Sequence, residues 1–186
     1  MSNRPRGCVF LDRDGTVVKS FGNRPANTVE EIEIFDGVAA GLQKIKASGL
    51  SIIVVSNQGG IALGYMTKEV MVAMNDRLQA LVSLKKESPV IDAFYWCPHK
   101  PDEGCRCRKP GPGMFYKAKE DFGIDMGKSY VIGDRPSDMD AGVQAGIPRR
   151  FLVVQEGYVE TPSATLMFPI IADALQAVVL MEGLRK

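Results

Sequence analysis

The chain has 186 residues, of which 45% are hydrophobic and 24% charged, and a formal net charge of +1. That length suits one globular domain, 1–186, with a core of its own, and the composition argues against disorder. The balance of 23 basic and 22 acidic residues gives no support to a nucleic-acid or membrane-surface partner.

No apolar run reaches membrane-spanning length. The short polar start, residues 1–7, does not read as a signal peptide, so a cytoplasmic location is expected. Residues 8–11 (Cys-Val-Phe-Leu) then predict a buried strand. Residues 37–48 carry Val38, Leu42 and Ile45 at helical spacing, with Gly49 as the stop. Residues 51–55 form a second strand, too uniformly apolar for a sheet with one wet face. Thr67 predicts an N-cap for a helix running to about Leu84. A third strand follows over 93–96, a third helix over 113–122, a fourth strand over 130–132, a helix over 137–145, a fifth strand over 151–154 and a closing helix over 173–180. This alternation predicts a Rossmann-like α/β fold of three layers around a mainly parallel sheet. Two stretches are irregular: residues 20–31, long enough to suggest a functional flap, and residues 98–112.

Polar, glycine-rich segments follow strands one, two and four, at the edge where doubly wound sheets bind ligands. After the first comes Asp12-Arg13-Asp14-Gly15-Thr16. One of these carboxylates can attack phosphorus while the other handles protons, and paired carboxylates suit a hard cation such as Mg²⁺. An ordinary Asp-Gly turn is the plainer alternative. After the fourth strand, Gly133-Asp134-Arg135-Pro136-Ser137-Asp138 adds Asp134 as a candidate metal ligand. Asp138 is better placed to cap a helix or brace a basic group. After the second, Ser56, Asn57 and Gln58 with Gly59 and Gly60 suit phosphate oxygens. Arg108 and Lys109 supply the cations that a transferring phosphoryl group needs.

These segments together resemble the haloacid dehalogenase superfamily of phosphatases. Val9-Phe10-Leu11-Asp12-Arg13-Asp14-Gly15-Thr16 matches its first motif, Val54-Val55-Ser56-Asn57 its second, Lys109 its third, and Gly133-Asp134 with Asp138 its fourth. The resemblance implies that Asp12 is the nucleophile, forming an aspartyl-phosphate, and Asp14 the general acid/base. It places Mg²⁺ on Asp12, the backbone carbonyl of Asp14, and Asp134. Ser56 and Lys109 would hold phosphate oxygens. Arg108, Asn57 and Gln58 are further candidates at the substrate from their own chemistry.

Cys97, His99, Cys105 and Cys107 offer three thiolates and one imidazole, the complement of a structural tetrahedral Zn²⁺. Three reduced, unliganded cysteines are the alternative. Zinc in this loop, residues 97–110, would pin the segment presenting Arg108 and Lys109. Cys-Pro-His followed by Cys-x-Cys-Arg-Lys-Pro resembles the branch holding the D-glycero-D-manno-heptose 1,7-bisphosphate and histidinol-phosphate phosphatases, which are compact and have a minimal cap. Arg108-Lys109-Pro110-Gly111-Pro112-Gly113-Met114 and Ser56-Asn57-Gln58-Gly59-Gly60-Ile61-Ala62 resemble the heptose group. Residues 20–25 depart from its His-Gly-Tyr-Val.

The resemblance implies a small phosphorylated metabolite as substrate, foremost the heptose bisphosphate, converted to its 1-phosphate. Such an enzyme would serve lipopolysaccharide core assembly or nucleotide-activated heptose. Histidinol phosphate is the rival substrate, and a non-catalytic zinc-stabilised interaction module the rival from another class. Arg24 and Arg135 are candidates for a distal phosphate, and a monomer is expected.

Overall fold

The computed structural model describes residues 6–22, 24–83, 89–154 and 161–184. Residues 1–5, Asn23 of the expected flap and the expected helix end at Leu84 lie outside them. Six strands form one sheet: β1 (Cys8–Leu11), β2 (Ser51–Asn57), β3 (Ala93–Cys97), β4 (Tyr130–Gly133), β5 (Arg149–Val153) and β6 (Leu166–Phe168). Their order is β3-β2-β1-β4-β5-β6, and every pairing is parallel. Five helices cover it: α1 (Val38–Ser48), α2 (Lys68–Val82), α3 (Gly113–Phe122), α4 (Pro136–Gln144) and α5 (Ile171–Gly183).

The near-continuous apolar strands require cover on both faces, because successive side chains point to opposite sides. Val9, Leu11, Ile52, Val54, Ile132 and Phe151 pack on one side with α1, α2 and α5. Cys8, Phe10, Ile53, Val55, Val131 and Leu152 pack on the other with α3 and α4. The result is the three-layer sandwich expected from the alternation. No helix among the described residues is long and apolar enough to cross a membrane.

Thr67 caps α2 as expected, its hydroxyl accepting from Val70 N at 3.3 Å. α4 starts one residue earlier than predicted, at Pro136, which suits a first helical position because that N–H has no intrahelical partner. β5 also starts early, since Arg149 and Arg150 are drawn into the sheet. The Arg149 guanidinium lies 4.9 Å from the Tyr130 ring centre, and Arg150 donates to Ser163 O at 2.6 Å. Strand β6 was not anticipated. It is a three-residue edge strand with Leu166 and Met167 exposed, so it lacks the buried apolar run that marks the others.

The chain order reverses at β1, which lies between β2 and β4, and this places the ligand crevice beyond the carboxyl ends of those strands. The described residues between β1 and α1 hold no named helix or strand, only isolated bridges from Asp14 to Val18, Val18 to Ile34 and Phe21 to Arg24, which makes a minimal cap. On the outer side, Leu175 of α5 is fully buried against α1. Leu175→Ala is expected to cost about 2–5 kcal/mol of unfolding free energy by urea titration, from lost apolar contact and the cavity left behind.

Candidate active site

β1 ends at Leu11 and delivers Asp12, whose backbone N–H donates to Ile132 O at 2.9 Å. β4 lies alongside and delivers Asp134. Gly15 makes the turn between them at φ 86°, and a β-carbon there would lie 2.5 Å from Asp134 Oδ2, so only glycine fits. Thr16 donates its hydroxyl to Asp134 Oδ1 at 3.1 Å.

Asp12, Asp134 and Asp138 bring one carboxylate oxygen each within 4.8 Å of the others. Lys109 enters this group from the cysteine loop. Its Nζ lies 2.6 Å from Asp12 Oδ1, 2.6 Å from Asp138 Oδ1 and 2.7 Å from Val55 O. Burial works against the Lys109 charge, but Asp12 and Asp138 outweigh it and hold the ammonium above the usual lysine range. Asp138 also accepts from Arg135 N at 3.0 Å, so it both caps α4 and braces the lysine. Gly133 makes room for that fold-back, since a β-carbon there would sit 2.5 Å from the Asp138 side chain.

One lysine does not neutralise three carboxylates. Burial, then the charges of Asp12 and Asp138, push Asp134 up to about 8. Hard oxygen donors carrying unneutralised charge fit a small divalent cation. Asp138 completes this cluster of carboxylates. The Asp14 carboxylate stands outside it, and the family pattern gave Asp14 only a carbonyl oxygen.

The side chain of Asp14 is held elsewhere. Gln58 Nε2 donates to Asp14 Oδ2 at 2.6 Å and to Ser56 Oγ at 2.6 Å, and Arg13 grips both Asp14 oxygens. Burial raises Asp14 above the ordinary carboxylate range, against the pull of Arg13.

A cleft of about 680 Å³ opens over these groups, bordered by Asp12, Asp14, Ser56, Asn57, Gln58 and Lys109. Arg24, Arg108 and Arg135 border it as well, so the structure gathers all nine residues expected at the substrate. Two are occupied differently from expectation. Asn57 spends its amide on the main chain of Lys109, accepting from its N–H at 2.9 Å and donating to its carbonyl at 3.0 Å. Arg24 lays its guanidinium against both oxygens of Glu31, at 2.9 and 2.5 Å, so its charge is matched before any substrate phosphate arrives. Arg108 instead donates to a carbonyl, His99 O, at 3.3 Å, and Arg135 is largely exposed. Leu63, Tyr65 and Met66 also line the cleft and were not anticipated, because apolar loop residues carry no chemical signature.

Beside the cleft, Cys97 Sγ lies 3.5 Å from Cys105 Sγ and 3.5 Å from His99 Nδ1. Cys107 Sγ lies 3.2 Å from His99 Nδ1 and 3.6 Å from Cys105 Sγ. Two thiolates sharing one tetrahedral zinc stand about 3.8 Å apart, so the set fits a closed zinc site. All four cysteines are free of disulfides.

The HAD-hydrolase-like family profile matches residues 106–173, which contain the lysine and the second acidic motif. A Yersinia pestis protein named D-glycero-beta-D-manno-heptose-1,7-bisphosphate 7-phosphatase is 37% identical over 152 residues, covering 78% of this chain and 79% of that one. A Photorhabdus laumondii protein named D-glycero-alpha-D-manno-heptose-1,7-bisphosphate 7-phosphatase is 39% identical over 154 residues, covering 77% of this chain and 80% of that one. The chain belongs to the haloacid-dehalogenase-like phosphatases. Among solved members, the D,D-heptose 1,7-bisphosphate phosphatase from B. bronchiseptica, complexed with magnesium and phosphate, superposes with a TM-score of 0.82 at 25% identity, covering 94% of this chain and 99% of that one. A phosphatase of this family is a hydrolase, and the cleft over Asp12 is its candidate centre.

The raised Asp134 has a consequence for stability. A carboxylate whose folded pKa lies above its unfolded value destabilises the fold as pH rises from about 4, reaching a constant cost above about 8. Chelated Asp134→Asn is therefore expected to melt above chelated wild type at pH 8, the gap closing toward pH 4. Mg²⁺ should raise the melting temperature of wild type and not of the variant. Equal melting at pH 8 would contradict this account.

Proposed function

We propose that the chain is a Mg²⁺-dependent phosphatase that removes the 7-phosphate of D-glycero-D-manno-heptose 1,7-bisphosphate through an aspartyl-phosphate on Asp12, leaving the 1-phosphate. The observation that carries the reaction is the contact of Lys109 with Asp12 inside the carboxylate cluster, at the floor of the cleft. The names of the relatives favour the sugar bisphosphate. Because those names differ in anomer, the reading extends to the bisphosphate and not to one anomer.

Asp12, Asp134 and the Asp14 carbonyl would hold the Mg²⁺. Bound there, it supplies the positive charge that lets an anionic nucleophile approach an anionic ester. In the first step a carboxylate oxygen of Asp12 attacks phosphorus, and the bond from phosphorus to the sugar oxygen breaks. Asp14, protonated, gives its proton to that oxygen. In the second step Asp14 takes a proton from water, the water oxygen attacks phosphorus, and the bond from Asp12 to phosphorus breaks. Lys109 and the Ser56 hydroxyl hold the transferring phosphoryl oxygens, with Arg108 at the rim. Arg108 and Arg135 are the cations best placed for the distal phosphate, since Arg24 is engaged with Glu31.

Asp12→Asn is expected to cut turnover at least about 10³-fold, because it removes the nucleophile. The bisphosphate should exceed the corresponding 7-monophosphate in kcat/KM by about ten-fold or more, the worth of one charge-assisted contact. Phosphate release across sugar monophosphates, sugar bisphosphates and histidinol phosphate checks both. Histidinol phosphate as best substrate would overturn the sugar and leave the phosphatase. Near-normal turnover by Asp12→Asn would overturn the mechanism.

The cysteine cluster holds a structural Zn²⁺ in this reading, its four protein ligands leaving no open position for chemistry. Metal analysis of protein purified without chelators should give one zinc per chain that survives mild EDTA. Cys105→Ser should lose it, melt lower and lose activity, because the loop bearing Lys109 loosens. Zinc-free wild type with full activity would refute the site.

A further inference from the structure

Arg13 occupies the variable place between the two aspartates of the first motif, yet it is fully buried and does not border the cleft. A buried guanidinium is costly unless it is paired and its donors are satisfied. Here Nε lies 3.1 Å from Asp14 Oδ2, and Nη2 lies 3.1 Å from Asp14 Oδ1. Nη1 turns the other way, to Asn75 Oδ1 at 3.3 Å and Met71 Sδ at 2.9 Å, both on α2. The main chain of Arg13 is fixed too, its carbonyl accepting from Val17 N at 3.0 Å and Val18 N at 2.8 Å.

We infer that Arg13 is a positioning residue for the proton-transferring carboxylate, a strut that fixes Asp14 against helix α2. The inference rests on the assignment of Asp14 as acid and base proposed above. A carboxylate held at both oxygens by a planar fork loses rotation about its terminal bond, which a lysine's point charge does not enforce. Gln58 adds a third donor from the phosphate-binding loop, so Asp14 is located relative to both α2 and Ser56. Arg13 has no path to the substrate, and its whole effect on chemistry passes through Asp14. The rival role is purely structural, a staple between the turn after β1 and α2.

Leaving-group chemistry separates the two. Nitrophenolate departs from phosphorus without a proton, whereas a sugar alkoxide needs one, so a misplaced acid harms the alkyl ester selectively. Dephosphorylation of Asp12 needs the base whichever ester was used. The Mg²⁺-loaded enzyme is assayed with heptose bisphosphate and with 4-nitrophenyl phosphate. In Arg13→Met, kcat/KM for the sugar ester should fall by at least about ten-fold more than for the aryl ester, within the range of general acid catalysis. Rapid mixing with the aryl ester should then show a burst of about one nitrophenolate per site, as phosphorylated Asp12 accumulates. Arg13→Lys, with charge but no fork, should fall between. If Arg13→Met does not fold, as judged by its melting transition, Asn75→Ala frees the far end of the strut without touching Asp14 and should give the same pattern more weakly. Asp14→Asn is the control, and must itself discriminate the esters. Equal losses on both esters without a burst, while Asp14→Asn discriminates, would make Arg13 a staple and overturn the inference. An Asp14→Asn variant that fails to discriminate would remove the acid assignment and this inference with it.

Discussion

A lysine ammonium inserted between two buried carboxylates is the constraint around which the molecule is arranged. Asp12, Asp134 and Asp138 crowd their mutually repelling carboxylates together, and burial with the neighbouring charges raises the proton affinity of Asp134 and Asp138. Lys109 removes that repulsion for Asp12 and Asp138 at once, at 2.6 Å from each. Asp134 lies out of reach of Lys109 and, among the described residues, has only the exposed Arg135 guanidinium at 4.0 Å as a cation, and its raised affinity for protons marks a place where a metal cation would be favoured. The proposed nucleophile and the candidate cation site are thus two results of one unequal division of charge.

Several elements keep that lysine in place. Asn57 grips its main chain at both ends, as a strand partner would. Gln144 on α4 donates to Pro110 O at 3.0 Å, and Asp138 reaches back from the same helix. The cysteine cluster closes the loop from its other side, where Gly59, in the segment after β2, comes close to His99 O. None of these groups needs to meet substrate. They restrict one flexible four-carbon side chain to one position, which a loop without such bracing could not do.

What was legible in the sequence is what depends on local pattern. Uniformly apolar runs such as Ile52 to Val55 announce buried parallel strands, and carboxylates directly after such runs announce a ligand edge. The four metal-type ligands between 97 and 107 were legible because their spacing is itself local. What was not legible depends on partners distant in sequence. Arg13 carried no local signal, since its partners on α2 lie 58 and 62 residues away. Asn57 signalled only a substrate contact, because the backbone it also holds, that of Lys109, lies 52 residues on. Arg24 read as a candidate for a distal phosphate because its partner Glu31 lies seven residues on, in a stretch with no regular pattern. β6 escaped because an edge strand need not bury either face.

The separation of Asp12 and Lys109, 97 residues along the chain, also bears on how the molecule comes together. Thr16 meets Asp134 across 118 residues. Contacts of that span close large loops and are among the last to repay their entropy. A half-formed sheet already gives the spectrum of a helical α/β protein while Asp12 still lacks its counter-ion Lys109. Recovery of turnover during refolding is therefore a clock set to the final docking of the cysteine loop on β1, and runs behind any optical signal of secondary structure.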